Sequence, residues 1–156
     1  MNKFRFFVVS AVLLFVGCKL DTVTDLPGPP DFTTFIAIGD SQTAGTANDG
    51  LYRDAQLVAF PAIMAKQMNT NFAQPLFSEA EKNGSGYMQL ISFNNGVPVI
   101  TRVTTERAIR GTISVPLKGN VSLYTKYQGN VNNYGIPAMK LADMNNANLG
   151  NINAYF

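Results

Sequence analysis

Six consecutive residues, Thr33-Thr34-Phe35-Ile36-Ala37-Ile38, are β-branched, aromatic or apolar without clear alternation, and the run stops at Gly39. A strand of that composition is expected to be buried on both faces, as in a parallel sheet covered by helices. The run therefore points to an α/β fold. Gly39-Asp40-Ser41 then places a serine at the carboxyl edge of that sheet, where open α/β folds bind ligands. Gly39 permits a tight turn. Ser41 is expected near a helix amino terminus, where backbone N–H groups can stabilise an oxyanion. A bare Gly-Asp-Ser also makes ordinary Asx or Ser turns, so its meaning depends on the surrounding sequence.

Beyond a loop rich in Gly, Ala, Thr and Asn, residues 55–68 place Leu57, Phe60, Ile63, Met64 and Met68 at helical spacing. Pro61 interrupts the segment, so the helix is expected to begin near it, with Pro in the first turn. From 69 to 127 the pattern changes to short extended pieces between turn residues. Asn83-Gly84-Ser85-Gly86 and Asn94-Asn95-Gly96 are turn signals, and residues 97–103 and 112–115 read as strands. This region, about 83–130, is expected to be an antiparallel insertion. Residues 131–136 can return to the main sheet, with another helix starting over 137–144.

The amino terminus reads as an address. Residues 1–5 carry two positive charges, residues 6–16 are almost unbroken apolar, and small Gly17 precedes Cys18, the chain's single cysteine. That is the layout of a secretory signal, and the apolar run falls short of the ~20 residues a membrane span needs. Phe15-Val16-Gly17-Cys18 resembles the lipobox of bacterial lipoproteins, with Phe15 where Leu is usual. The resemblance implies cleavage before Cys18 and lipid attachment to its thiol, hence an exported, membrane-anchored protein of the outer membrane or cell surface. Residues 18–31, with Asp21, Asp25, Pro27, Gly28, Pro29 and Pro30, read as a tether, and 32–156 as the domain. Cleavage would take Lys3 and Arg5 from twelve basic residues and leave ten against ten acidic ones. Without net positive charge the electrostatic footprint of a nucleic-acid binder is missing, and Arg102, Arg107 and Arg110 read as a solvated face.

With Ser41 set in Phe35-Ile36-Ala37-Ile38-Gly39-Asp40-Ser41-Gln42-Thr43-Ala44-Gly45, the chain resembles the SGNH, or GDSL, family of ester hydrolases. Gln42 stands where that family usually has Leu. Leu51-Tyr52-Arg53-Asp54-Ala55-Gln56, Phe60-Pro61 and Phe72-Ala73-Gln74-Pro75-Leu76 are similar to the stretches that follow in exported bacterial members. Asn132-Asn133-Tyr134-Gly135-Ile136-Pro137-Ala138 is similar to the second family block, Asn-x-Gly-x-x-Gly. The resemblance implies an incomplete flavodoxin-like three-layer α/β fold with a β-rich insertion. It also implies Ser41 as nucleophile, the N–H groups of Ser41 and Ala138 in the oxyanion hole, and Gly39, Asp40 and Gly135 as supporting turn residues. Ala138 replaces the last Gly of the block, so its N–H serves only if the local φ suits a residue with a Cβ.

The family mechanism also needs an Asn donor and an Asp-x-x-His, and the sequence contains no His at all. Asn48-Asp49, only a few residues after Ser41, reads as a loop. A serine hydroxyl without a base is a poor nucleophile, so the chain as given is expected to be nearly inactive. The sequence reads as the amino-terminal portion of a longer esterase acting on a small-molecule, lipid or glycan ester. The alternative is a surface lipoprotein that binds glycan or lipid without catalysis. No metal or organic cofactor is implied by either.

Overall fold

Parallel pairing of two short strands, β1 (Ala37–Gly39) and β6 (Asn133–Gly135), brings the two sequence blocks together. Ala37 lies opposite Asn133, Ile38 opposite Tyr134 and Gly39 opposite Gly135. The Ala37 N–H donates to the Asn132 carbonyl at 2.9 Å, and the Ile136 N–H to the Gly39 carbonyl at 2.9 Å. These relations come from a computed structural model, which describes residues 31–117, 119–149 and 153–155. The signal segment, Cys18 and all of the tether except Asp31 lie outside the described residues.

Between β1 and β6 the chain forms three short helices, α1 (Ser41–Ala44), α2 (Arg53–Leu57) and α3 (Phe60–Gln67), and then two hairpins. The first pairs β2 (Met88–Asn94) with β3 (Val97–Arg102), and the second pairs β4 (Ile109–Val115) with β5 (Gly119–Tyr124). A 3₁₀ turn, Leu141–Asn145, follows β6. The architecture is mixed α/β with two-stranded sheets, and among the described residues no larger parallel sheet forms.

That result corrects the expected burial of the first strand. Ala37 is buried, but Ile36 and Ile38 are 54% and 58% exposed. A strand is covered on both faces only when helices pack on both sides of its sheet, and here the described contacts of β1 are with β6 and the single turn of α1.

Helix α3 carries Pro61 in its first turn, where the missing N–H has no helical partner to lose. Its buried face is Pro61 and Ala65, whereas Phe60, Ile63 and Met64 are about half exposed. The apolar periodicity in the sequence therefore marks an outward stripe. Leu57 belongs to α2 and is also exposed.

The region read as an antiparallel excursion does pair antiparallel. Asn95 and Gly96, at φ 48° and 80°, make the two-residue turn of the first hairpin, a geometry whose twist suits the flanking strands. At the hairpins' base, Ser85 Oγ accepts from the Leu51 N–H at 2.8 Å, and Asn83 Nδ2 donates to the Thr105 carbonyl at 3.0 Å. These bonds, the first buried and the second partly so, fix the loop next to the core of Ala44, Leu51, Phe77 and Ala108, against which Tyr124 and Tyr155 pack.

Candidate functional site

Asp40 ends β1 and caps α1: its side chain accepts from the Gln42 N–H at 3.1 Å, and its carbonyl accepts from the Ala44 N–H at 3.0 Å. The sharp turn leaves Ser41 as the first residue of α1, partly exposed. As a first-turn residue its N–H has no intrahelical acceptor, and it donates to no described group. One helical turn carries little macrodipole, so the electrostatics here rest on individual N–H groups.

The second block reaches the same point. The N–H of Ala138 donates to Ser41 Oγ at 3.1 Å, across 97 residues of sequence. Ala138 has φ 63°, in the left-handed region that costs an L-residue roughly 1–2 kcal/mol. The condition attached to this position is thus not met without strain: the N–H reaches Ser41 Oγ at a backbone angle that glycine takes more easily than a residue with a Cβ.

Asn133 holds the two blocks in register. It is 3% exposed, and its Nδ2 donates to the Thr43 carbonyl of α1 at 2.9 Å and to Gln74 Oε1 at 3.3 Å. Its Oδ1 accepts from the Gly135 N–H at 2.9 Å, an Asx turn that shapes the end of β6. Gly135 is required for a steric reason, since a Cβ there would collide with the backbone of Thr43 and Ala44. A Cβ on Gly39 would likewise meet the Thr43 side chain.

The intervening stretches also converge. Ala73 donates its N–H to Asn132 Oδ1 at 3.0 Å, and its carbonyl accepts from the N–H groups of Asn132 and Asn133. Gln56, 2% exposed, donates to the Pro75 carbonyl at 2.9 Å and accepts from the Phe77 N–H at 3.1 Å. Neither Asn133 nor Gln56 was singled out from sequence as a structural lock. The Asn-x-Gly spacing of an Asx turn is the signal that could have found the first, whereas the second depends on a contact 19 residues away.

Other candidates stand elsewhere. Asn48 and Asp49 form a tight turn with φ 51° and 59°, as the loop expectation has it. Asn48 donates to the Tyr52 hydroxyl at 3.0 Å, and Asp49 pairs with Arg102. Of the three arginines, Arg102 and Arg110 are exposed, as a solvated face requires, whereas Arg107 is half-buried with its Nε enclosed and unpaired. Among the described residues no cluster of three His, Cys, Asp or Glu could hold a metal ion.

The arrangement offers a serine hydroxyl flanked by two backbone donors, one free and one on the hydroxyl oxygen itself. Such donors stabilise negative charge on the serine oxygen or on a neighbouring acyl oxygen. Among the described residues no carboxylate or other base accepts the Ser41 proton. No family model, no curated protein and no solved structure matches this chain.

Proposed function

We propose that this chain carries the nucleophile half of a lipid-anchored serine ester hydrolase of SGNH type, whose general base is supplied by polypeptide outside the given sequence. In this reading the paired strands β1 and β6 are the beginning of a flavodoxin-like three-layer sheet. Membrane attachment would run through acyl chains on Cys18, which hold more firmly together than singly. The carrying observation is the Ala138 N–H on Ser41 Oγ, because it joins the two blocks that carry the family resemblance at the atom expected to react. Ser41 would attack the ester carbonyl, and the N–H groups of Ser41 and Ala138 would receive the developing oxyanion. Ala138 must then exchange the hydroxyl oxygen for the acyl oxygen.

The test is the coding sequence downstream of codon 156, read in all three frames. The proposal expects blocks with an Asn donor and an Asp-x-x-His, and loss of ester hydrolysis in the completed protein when Ser41 is replaced by Ala. Full activity in S41A would remove Ser41 from the role. Replacing Cys18 by Ser is expected to move the protein from the membrane fraction to the soluble fraction, and retention at the membrane would contradict the anchor.

One observation favours a second reading. The absence of His from all 156 residues fits a surface lipoprotein that binds a glycan or lipid and does not catalyse. An authentic stop after codon 156 with no further blocks would select it.

A further inference from the structure

A cavity of about 250 Å³ lies beside β6, with Phe77 and the half-buried Tyr155 on its inner wall and the more exposed Tyr127 and Tyr134 towards solvent. Its buried polar lining is already occupied. Gln56 and Asn133 spend their amides on the backbone bonds described above, and at the exposed rim Thr125 Oγ1 donates to Glu81 Oε1 at 2.8 Å. A ligand entering this cavity therefore finds mainly aromatic and aliphatic surface, with the hydroxyls of Tyr127, Tyr134 and Tyr155 as further polar groups of the lining. Among the described residues the lining contains no acidic side chain, and its single charged residue is the exposed Lys126. This composition suits an uncharged apolar group.

The cavity adjoins the candidate site through its wall, although neither Ser41 nor Ala138 lines it. Gly135, Ile136 and Pro137 all form part of its wall, and the next residue is Ala138, whose N–H holds Ser41 Oγ. The wall and the candidate oxyanion donor are thus one continuous peptide segment.

We infer that this cavity binds a short apolar chain, and, resting on the proposed function, that the chain is the acyl or alkyl part of the ester presented to Ser41. A volume of 250 Å³ corresponds to about eight water-sized groups, which sets the length limit. Each methylene buried should raise affinity about fourfold until the space is filled.

The experiment is a titration of the whole chain with straight-chain alcohols from 1-butanol to 1-decanol, followed by NMR signals of Phe77, Val131 and Tyr155. Affinity is expected to climb through about 1-hexanol and level off by 1-decanol, with shifts confined to the lining. V131F and I136F, two independent plugs, are each expected to weaken 1-hexanol at least about tenfold, and S41A to leave it unchanged. A plug that unfolds the chain is replaced by the other in the comparison. No saturable binding, affinity rising steadily through 1-decanol, or unchanged binding in a folded plug variant would overturn the inference. Failure of the esterase reading is read separately, by acylation of Ser41. Length-limited, plug-sensitive binding without acylation would keep the cavity as an apolar site and remove its assignment to an ester.

Discussion

At Ala138 a backbone hydrogen bond to Ser41 coexists with a φ of 63°. Replacing Ala138 by Gly relieves the left-handed strain but frees the unfolded chain, so the net gain is expected to be up to about 1 kcal/mol in urea unfolding. The N–H is retained, and Ser41 reactivity should be equal or higher. A loss of stability above that size would mean that the positive φ is not the native geometry. Tyr155 gives a second residue-scale expectation. Burial raises its pKa above the usual tyrosine value, with a hydrogen-bond contribution from Ser85 partly opposing the shift. The unfolded chain therefore loses this proton first as pH rises. Stability held below about pH 10 should fall through the folded-state pKa above it, and Y155F should flatten the fall. An unchanged alkaline slope in Y155F would show that Tyr155 is as solvated folded as unfolded.

At the scale of elements, β6 and α1 are joined through one side chain. Asn133→Ala would leave the Thr43 carbonyl without its amide partner and remove the Asx turn, at an expected cost of roughly 2–3 kcal/mol, measured by denaturant midpoint. A cost below ~1 kcal/mol would mean that the contact is not formed in solution. The elements themselves were legible in proportion to how local their causes are. Pro61 marks the start of α3, Asn95-Gly96 marks a hairpin turn, and the return of 131–136 to the sheet follows from an extended run before a turn, though not which strand it would pair with. Burial was less legible. Ile36, Ile38, Ile63 and Met64 have core composition yet lie open, because burial depends on which other elements arrive to cover them. The site divides the same way. Ser41, Gly135 and the Asx turn of Asn133 announce themselves through turn chemistry, while Gln56 and the bond from Asn133 to Thr43 depend on partners distant in sequence that no local pattern specifies.

On the proposed reading, the whole molecule holds the Ser41 hydroxyl and the Ala138 N–H together, and among the described residues no base accepts the Ser41 proton. A positioned general base contributes about 10²–10⁴-fold, so its absence costs much of the rate, while oriented donors alone retain a part. Free imidazole can replace the base poorly but measurably, and any acyl group transferred to Ser41 would persist, because its hydrolysis also lacks a positioned base. The decisive measurement is therefore peptide mass spectrometry after incubating the chain with p-nitrophenyl acetate at increasing imidazole. The expected result is acetylation at Ser41 that rises with imidazole and runs at least about tenfold faster than at the exposed Ser78 or Ser92, a difference worth about 1.4 kcal/mol. Acetylation of Ser41 no faster than at those surface serines would contradict the assignment of Ser41 and Ala138 as a nucleophile and its oxyanion donor.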